Sequence, residues 1–382
     1  MASERPGFGI YIHWPFCAAK CPYCDFNSHV RKSVDHEEWC AALLTDLKHQ
    51  AEKTEGREVT SIFFGGGTPS LMDPATVGAL IDEVSRIWHV ANDLEVSLEA
   101  NPTSVEADRF RAFRLAGVNR VSMGIQALND PDLKALGRMH SAKEAMNAFD
   151  VARSHFERIS FDLIYARQGQ SALDWEKELN TALEMAVDHL SLYQLTIEAG
   201  TRFGDLYDRN MLKGLPSANL GAELFEITQD LCADHGMAAY EVSNHARADS
   251  ECRHNLTYWR YEPYLGIGPG AHGRNLRGNQ RFETVSLSNP EAWLRSVQEK
   301  GSGVKTDVSL SEEDTGTEYA LMCLRLSEGL SLEKFKGLSG RHLNTSRIDD
   351  LISQELAFLE GDRLKTTSKG RPVLNAILAE LL

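Results

Sequence analysis

The sequence predicts an α/β fold: a complete or partial TIM-type (β/α) barrel, followed by a C-terminal domain of winged-helix outline. Three observations predict it. Short apolar runs alternate with helical periodicity six times before about residue 195, polar motifs recur just after those runs, and the chain closes on an apparent hairpin followed by a helix. A doubly wound open sheet shares the same alternation and is the competing architecture.

The elements follow in order. Residues 9–13, GIYIH, read as a buried strand, and a loop punctuated by Pro15 and Pro22 follows at once. Residues 35–52 place Trp39, Ala42, Leu43 and Leu47 on one helical face. A strand at 59–64 leads through a glycine-rich turn to a helix at 74–88. Apolar strands follow at 94–99, 120–126, 159–164 and 189–195, separated by helical segments, which means parallel strands joined by crossovers. Residues 201–308 are less regular, with a helix at 218–235, a strand at 238–242 and the segment GIGPGAHG; they read as elements appended to a core spanning 1–200. Residues 309–382 form the winged-helix-like domain.

Composition narrows the function. Of 382 residues, 42% are apolar and 25% charged, the balance of a soluble globular protein. No apolar run is long enough to span a membrane, and the opening MASERPGFG lacks the apolar core of a leader. Forty Lys and Arg against 55 Asp and Glu give a net charge of −15, which opposes approach to a phosphate backbone, so nucleic acid is not an expected partner. Residues 308–382 carry nine basic and twelve acidic side chains, a balance of −3, so the winged segment is expected to pack or to dock a partner. Seven cysteines, an odd count, argue for reduced thiols and a reducing compartment.

Three of those cysteines, Cys17, Cys21 and Cys24, fall within eight residues as CxxxCxxC, just beyond a strand end. A structural zinc normally takes four ligands and would need a distant fourth residue. A 4Fe-4S cluster can use three thiolates and leave one iron open.

The segment CAAKCPYC resembles the signature of radical S-adenosylmethionine (SAM) enzymes, with Tyr23 at the usual aromatic position. SIFFGGGTPS resembles that superfamily's glycine motif, where missing side chains let backbone reach a ligand, although the glycines alone read as a tight turn. With YIHWPFC, SLEANP, RVSMGIQALND, LGRMHS and FDLIY, the chain resembles the coproporphyrinogen-dehydrogenase-like branch over essentially its whole length. It departs from the true dehydrogenases in two ways. Phe26 stands where they carry a further cysteine, and sixteen residues before Cys17 leave no room for their N-terminal extension. CRHNLTYW, YLGIGPGAHG and FLEGDRLKTTSKG instead resemble the haem-chaperone subgroup called HemW.

The resemblance implies a cytoplasmic protein that binds haem and passes it to acceptor haemoproteins such as respiratory enzymes. It implies a 4Fe-4S cluster on Cys17, Cys21 and Cys24, with an electron donor to serve it. SAM contacts fall on Tyr11, Tyr23, Gly66, Gly67, Thr68, Glu99, Gln126, Arg138 and Asp162. A radical SAM enzyme acting on a tetrapyrrole, of the oxygen-independent coproporphyrinogen III dehydrogenase kind, is the alternative. Residues 166–168 read Ala-Arg-Gln where relatives usually have a Gly-Leu-Pro turn.

His254 has two readings. Its imidazole suits an axial haem ligand beside Tyr258 and Trp259, or it fixes its loop by hydrogen bonds. Cys252 and His272 are the next candidates for that ligand, although Cys252 reads as an inert buried thiol and His272 as a loop residue. Trp14, Phe16 and Phe26 are expected to form an apolar shell around the cluster.

Overall fold

The computed structural model describes residues 7–54 and 56–382; the first six residues, on which part of the leader reading rests, lie outside them. Its centre is a run of parallel strands: β1 (Phe8–Trp14), β2 (Glu58–Gly66), β3 (His89–Ala100), β4 (Arg120–Gln126), β5 (Arg158–Tyr165) and β6 (His189–Gln194). These six lie side by side in chain order. A doubly wound sheet reverses direction between its first strands; this run does not, so the winding is that of a barrel wall.

Residues 201–308 extend the same sheet. β7 (Asn244–Ala246) pairs antiparallel with β6, while β8 (Tyr264–Ile267) pairs parallel with β1 on its other side. β9 (His272–Arg277), β10 (Gln280–Ser286) and β11 (Val304–Ser309) continue antiparallel beyond β8. The strand expected at 238–242 is not formed. The Glu241 carboxylate accepts the backbone N–H groups of Val242 (2.7 Å) and Ser243 (3.0 Å) and the Asn244 amide (2.5 Å), closing a tight turn instead. The strand begins only after that turn.

The helices carry the start signals their sequences encode. α1 (His36–Ala51) is capped by Asp35, and α2 (Pro74–Ile87) opens on proline behind an Asp73 cap. α3 (Ala142–His155) and α4 (Ala172–Met185) each begin with a reciprocal cap, Ser141 with Glu144 and Ser171 with Asp174. α5 (Ala218–Asp234) packs on α4, where the Trp175 indole donates to Thr228 Oγ1 at 2.9 Å. The main core joins these helices to the sheet through Trp39, Leu43, Leu80, Phe113, Phe149 and Trp175, all buried.

After α6 (Arg253–Trp259) and α7 (Pro290–Lys300), the C-terminal part has its own core. It comprises α8 (Glu312–Cys323), β12 (Leu330–Ser331), α9 (Leu332–Ser339), α10 (Thr345–Ser353), the hairpin β13 (Ala357–Glu360) and β14 (Arg363–Thr366), and α11 (Leu374–Leu381). The hairpin followed by a helix matches the winged outline. Arg274 of β9 joins this unit to the sheet by gripping Glu318 of α8 with two parallel bonds (2.9 and 2.8 Å), and the Tyr261 hydroxyl donates to the same carboxylate at 2.6 Å.

Candidate functional site

The C-terminal ends of the parallel strands surround a cavity of about 550 Å³. Cys17, Cys21 and Cys24 line it together with Tyr23, Gly66, Gly67, Thr68, Glu99, Gln126, Arg138 and Asp162. Residues spread over 146 positions of sequence thus meet at one rim because each follows, or ends, a neighbouring strand. Tyr11 does not join them. It faces an adjoining chamber of about 410 Å³, which shares Phe26, Gly66 and Glu99 with the first.

The protein holds the three thiols individually. The Thr68 hydroxyl donates to Cys17 Sγ (3.3 Å) and the Arg138 guanidinium to Cys21 Sγ (3.4 Å), while Ser28 Oγ lies 3.9 Å from Cys24 Sγ. Burial pushes the Cys17 and Cys24 thiols up, so their protons are to be released when metal arrives. Among the described residues, no three His, Cys, Asp or Glu side chains converge tightly enough to share one metal ion. In an iron–sulfur cubane each thiolate takes its own iron, which suits thiols arranged around a cavity.

The glycine turn serves the protein itself. Gly67 N–H donates to Trp14 O (2.7 Å) and Thr68 N–H to Phe16 O (2.9 Å), so the end of β2 is stitched to the cysteine loop. A Cβ on Gly67 would come within 2.8 Å of Phe16 O, and one on Gly66, whose φ is +112°, within 2.5 Å of the His13 ring. The space that side chains would take at these glycines is filled by the protein's own loop and imidazole, while both glycines still line the cavity. His13 in turn is fully engaged. Its Nε2 donates to the Asn27 carbonyl (2.9 Å), which leaves Nδ1 to accept from the Tyr11 hydroxyl (2.9 Å). Burial lowers its pKa, in keeping with this neutral form.

The polar groups of the cavity are poised unevenly. Glu99 accepts the Gly66 N–H at 3.2 Å, and burial, then the neighbouring Asp162, push its carboxyl up to about 8. Asp162, which accepts from Ser122 at 3.3 Å, is pushed by burial up to about 6. Gln126 sits at φ +75° and its buried amide oxygen has no hydrogen-bond partner within the protein. Such an orphan costs about 1–3 kcal/mol unless a donor fills the cavity beside it. Arg138 is partly buried: besides Cys21, it donates to Asn101 Oδ1 (2.6 Å) and Gly124 O (2.8 Å). Its fork spans the thiols and the cavity wall.

Asn101 is the functional residue that sequence reasoning missed. Its amide also donates to Thr68 Oγ1 (3.1 Å), so it links the groups that hold Cys17 and Cys21. Its only signal was its place in SLEANP, two residues beyond Glu99.

His254 stands apart. It is buried between β1 and β2, with Nδ1 bonded to Ser61 Oγ (2.9 Å) and Nε2 to the Tyr258 hydroxyl (2.7 Å), and its ring stacks on Phe63. Burial lowers its pKa to about 3. In this arrangement neither nitrogen is free to reach a haem iron, which favours the loop-fixing reading. Cys252 is also buried, against Glu95. Of the apolar shell expected around the cysteines, Trp14 and Phe16 pack into the main core and do not line the cavity, while Phe26 lines both chambers but is 58% exposed.

The unusual residues 166–168 are also explained. Ala166 adopts φ +57°, a conformation natural to glycine, and Arg167 anchors the loop by bonding Ile164 O (2.6 Å), Asp132 (2.7 Å) and Glu178 (2.5 Å). The loop beside Asp162 is thereby held without the usual glycine.

Comparison with known proteins agrees with this geometry. Residues 11–182 match the radical SAM superfamily and residues 310–373 the HemN C-terminal domain. The chain is 36% identical to the heme chaperone HemW of Escherichia coli over 98% of both chains. It is also 36% identical to the mitochondrial radical S-adenosyl methionine domain-containing protein 1 of Bos taurus, covering 100% of this chain and 89% of the relative. The solved coproporphyrinogen III oxidase HemN of Escherichia coli has the same fold, with a TM-score of 0.81 at 21% identity over 98% of this chain and 90% of that one. With relatedness of this extent along the whole chain, and a rim of three cysteines below a glycine turn, the protein belongs to the HemW family, in the coproporphyrinogen-dehydrogenase-like branch of the radical SAM superfamily.

Proposed function

We propose that the protein is a haem chaperone: it binds haem and transfers it to acceptor haemoproteins, such as respiratory enzymes, while carrying a 4Fe-4S cluster and SAM. The observation that carries the cofactor part is the gathering of three thiols, an orphaned amide oxygen and two carboxyls of raised pKa on one cavity. The haem part is supported by relatives that are named heme chaperones.

Cys17, Cys21 and Cys24 would hold the cluster, with Arg138 and Thr68 supplying hydrogen bonds to sulfur that favour the thiolate. When bound, a cluster with an open iron supplies an electron and a docking point for SAM. Gln126 would accept from a donor on SAM, and the Glu99 and Asp162 carboxyls would meet its ribose hydroxyls or ammonium. An electron donor would serve the cluster. We place the protein in the cytoplasm, although its animal relatives are named mitochondrial; no helix among the described residues is long and apolar enough to cross a membrane.

The test separates the chaperone from an enzyme acting on tetrapyrroles. Reconstituted, reduced protein is incubated with SAM and coproporphyrinogen III, and the haem-loaded protein is mixed with an apo-haemoprotein. We expect no decarboxylated product, transfer of haem to the acceptor, and loss of the iron chromophore in the triple Cys17→Ser, Cys21→Ser, Cys24→Ser variant. Decarboxylation without haem transfer would overturn the reading.

A further inference from the structure

The second chamber lies outside the cluster cavity yet touches it. Tyr11, Tyr258, Tyr264 and His272 wall it, Phe26, Gly66 and Glu99 are common to both, and it opens to solvent. Two of the imidazoles in this region, His13 and His254, are buried with both nitrogens bonded. His272 differs. It is exposed at the start of β9, and no hydrogen bond engages its ring among the described residues. The residue is held in place by backbone pairing with Val285, so its side chain is not needed for the strand.

We propose that this second chamber seats a haem, with His272 as its axial ligand and Phe26 covering the porphyrin at the mouth shared with the cluster cavity. The proposal rests on the haem reading above and names the site for it. A porphyrin asks for an apolar, aromatic wall and one donor that can reach iron. Tyr258 and Tyr264 meet edge to face with centroids 4.5 Å apart and provide such a wall. Phe26, 58% exposed, is a large apolar side chain with no protein surface to cover it, and a bound porphyrin would remove it from water. Release also favours His272. A ligand at the open side can be exchanged for one from an acceptor protein, whereas ligation by His254 would require breaking its bonds to Ser61 and Tyr258 inside the core. Partial desolvation against the chamber wall, then the charge of Arg274, lowers the His272 pKa, which keeps the ring neutral and able to ligate at pH 7.

The experiment is a hemin titration of the full reconstituted chain, followed by absorbance. Wild type, His272→Gly, His272→Cys and Phe26→Ala are compared. We expect His272→Gly to bind at least tenfold more weakly with a displaced Soret band, added imidazole to restore the wild-type band, and His272→Cys to move the band to a thiolate position. Phe26→Ala should weaken binding and leave the band in place. If wild type binds hemin and His272→Gly keeps both its band and its affinity, the assignment of His272 is overturned while the haem reading stands. Failure of wild type to bind hemin would instead overturn the haem reading itself. Unchanged affinity in Phe26→Ala would remove Phe26 from the site.

Discussion

His254→Ala tests whether the HNxxYW segment is a ligand site or a rivet. Removing the imidazole leaves Ser61 Oγ and the Tyr258 hydroxyl without their partner inside the core. Each such orphan costs about 1–3 kcal/mol. The ring also stacks on Phe63 at 5.1 Å and meets Tyr258 edge-on at 4.7 Å, contacts of about 0.5–1.5 kcal/mol each. Allowing for relaxation, the loss should be about 4 kcal/mol, a large share of the ~5–15 kcal/mol typical of a folded domain. Urea unfolding followed by tryptophan fluorescence measures it as a lowered midpoint at unchanged slope. Ser61→Ala combined with His254→Ala should cost less than the sum of the two, because the broken bond is counted once. Hemin titrated into the folded variant should give the wild-type band. A variant within about 1 kcal/mol of wild-type stability that has lost the band would refute this reasoning and return His254 to the ligand role.

Three further outcomes follow from the same geometry. Ala166→Gly should stabilise the protein by up to about 1 kcal/mol, since it relieves the left-handed backbone at φ +57°; a lowered urea midpoint would contradict that account. Gln126→Leu should weaken SAM binding about tenfold by calorimetry while leaving stability of the SAM-free protein unchanged or higher, because it deletes an unpartnered buried oxygen; equal SAM affinity would move the ligand elsewhere. Glu99 is pushed up to about 8 from an ordinary ~4.3, so the native state keeps a proton that the unfolded chain has lost. Its contribution is complete below about pH 4.3 and is lost as pH rises to about 8. Glu99→Gln should therefore flatten the stability profile between pH 6.5 and 8, above the range in which Asp162 titrates, and a slope as steep as the wild type's would sink the assignment.

The sequence by itself determined what depends on neighbours along the chain. Strand β4 and the start of α2 were legible to the residue, and the start of α1 to within one, because period, caps and proline act locally. CxxxCxxC beyond a strand end marked the cysteine loop for the same reason. The hairpin and helix of the C-terminal unit were readable from turn residues and apolar spacing.

Only the tertiary structure decided which groups meet. Gly66 and Gly67 line the cavity, and only the fold brings His13 and Phe16 O against the positions a side chain would take there. Tyr11, six residues before Cys17 in sequence, lines the second chamber, which meets the first at Phe26, Gly66 and Glu99. His254 finds Ser61 193 residues away, and Asn101 binds Thr68 and Arg138, 33 and 37 positions distant. A hydrogen-bond partner is chosen by distance in space, and distance in space between remote segments is set by how helices and strands pack, for which no local pattern carries a signal. The same reason separates the histidines: sequence offered His254 first and His272 only after it as a haem ligand, and packing buried the first with both nitrogens bonded while leaving the second at the open side of a chamber.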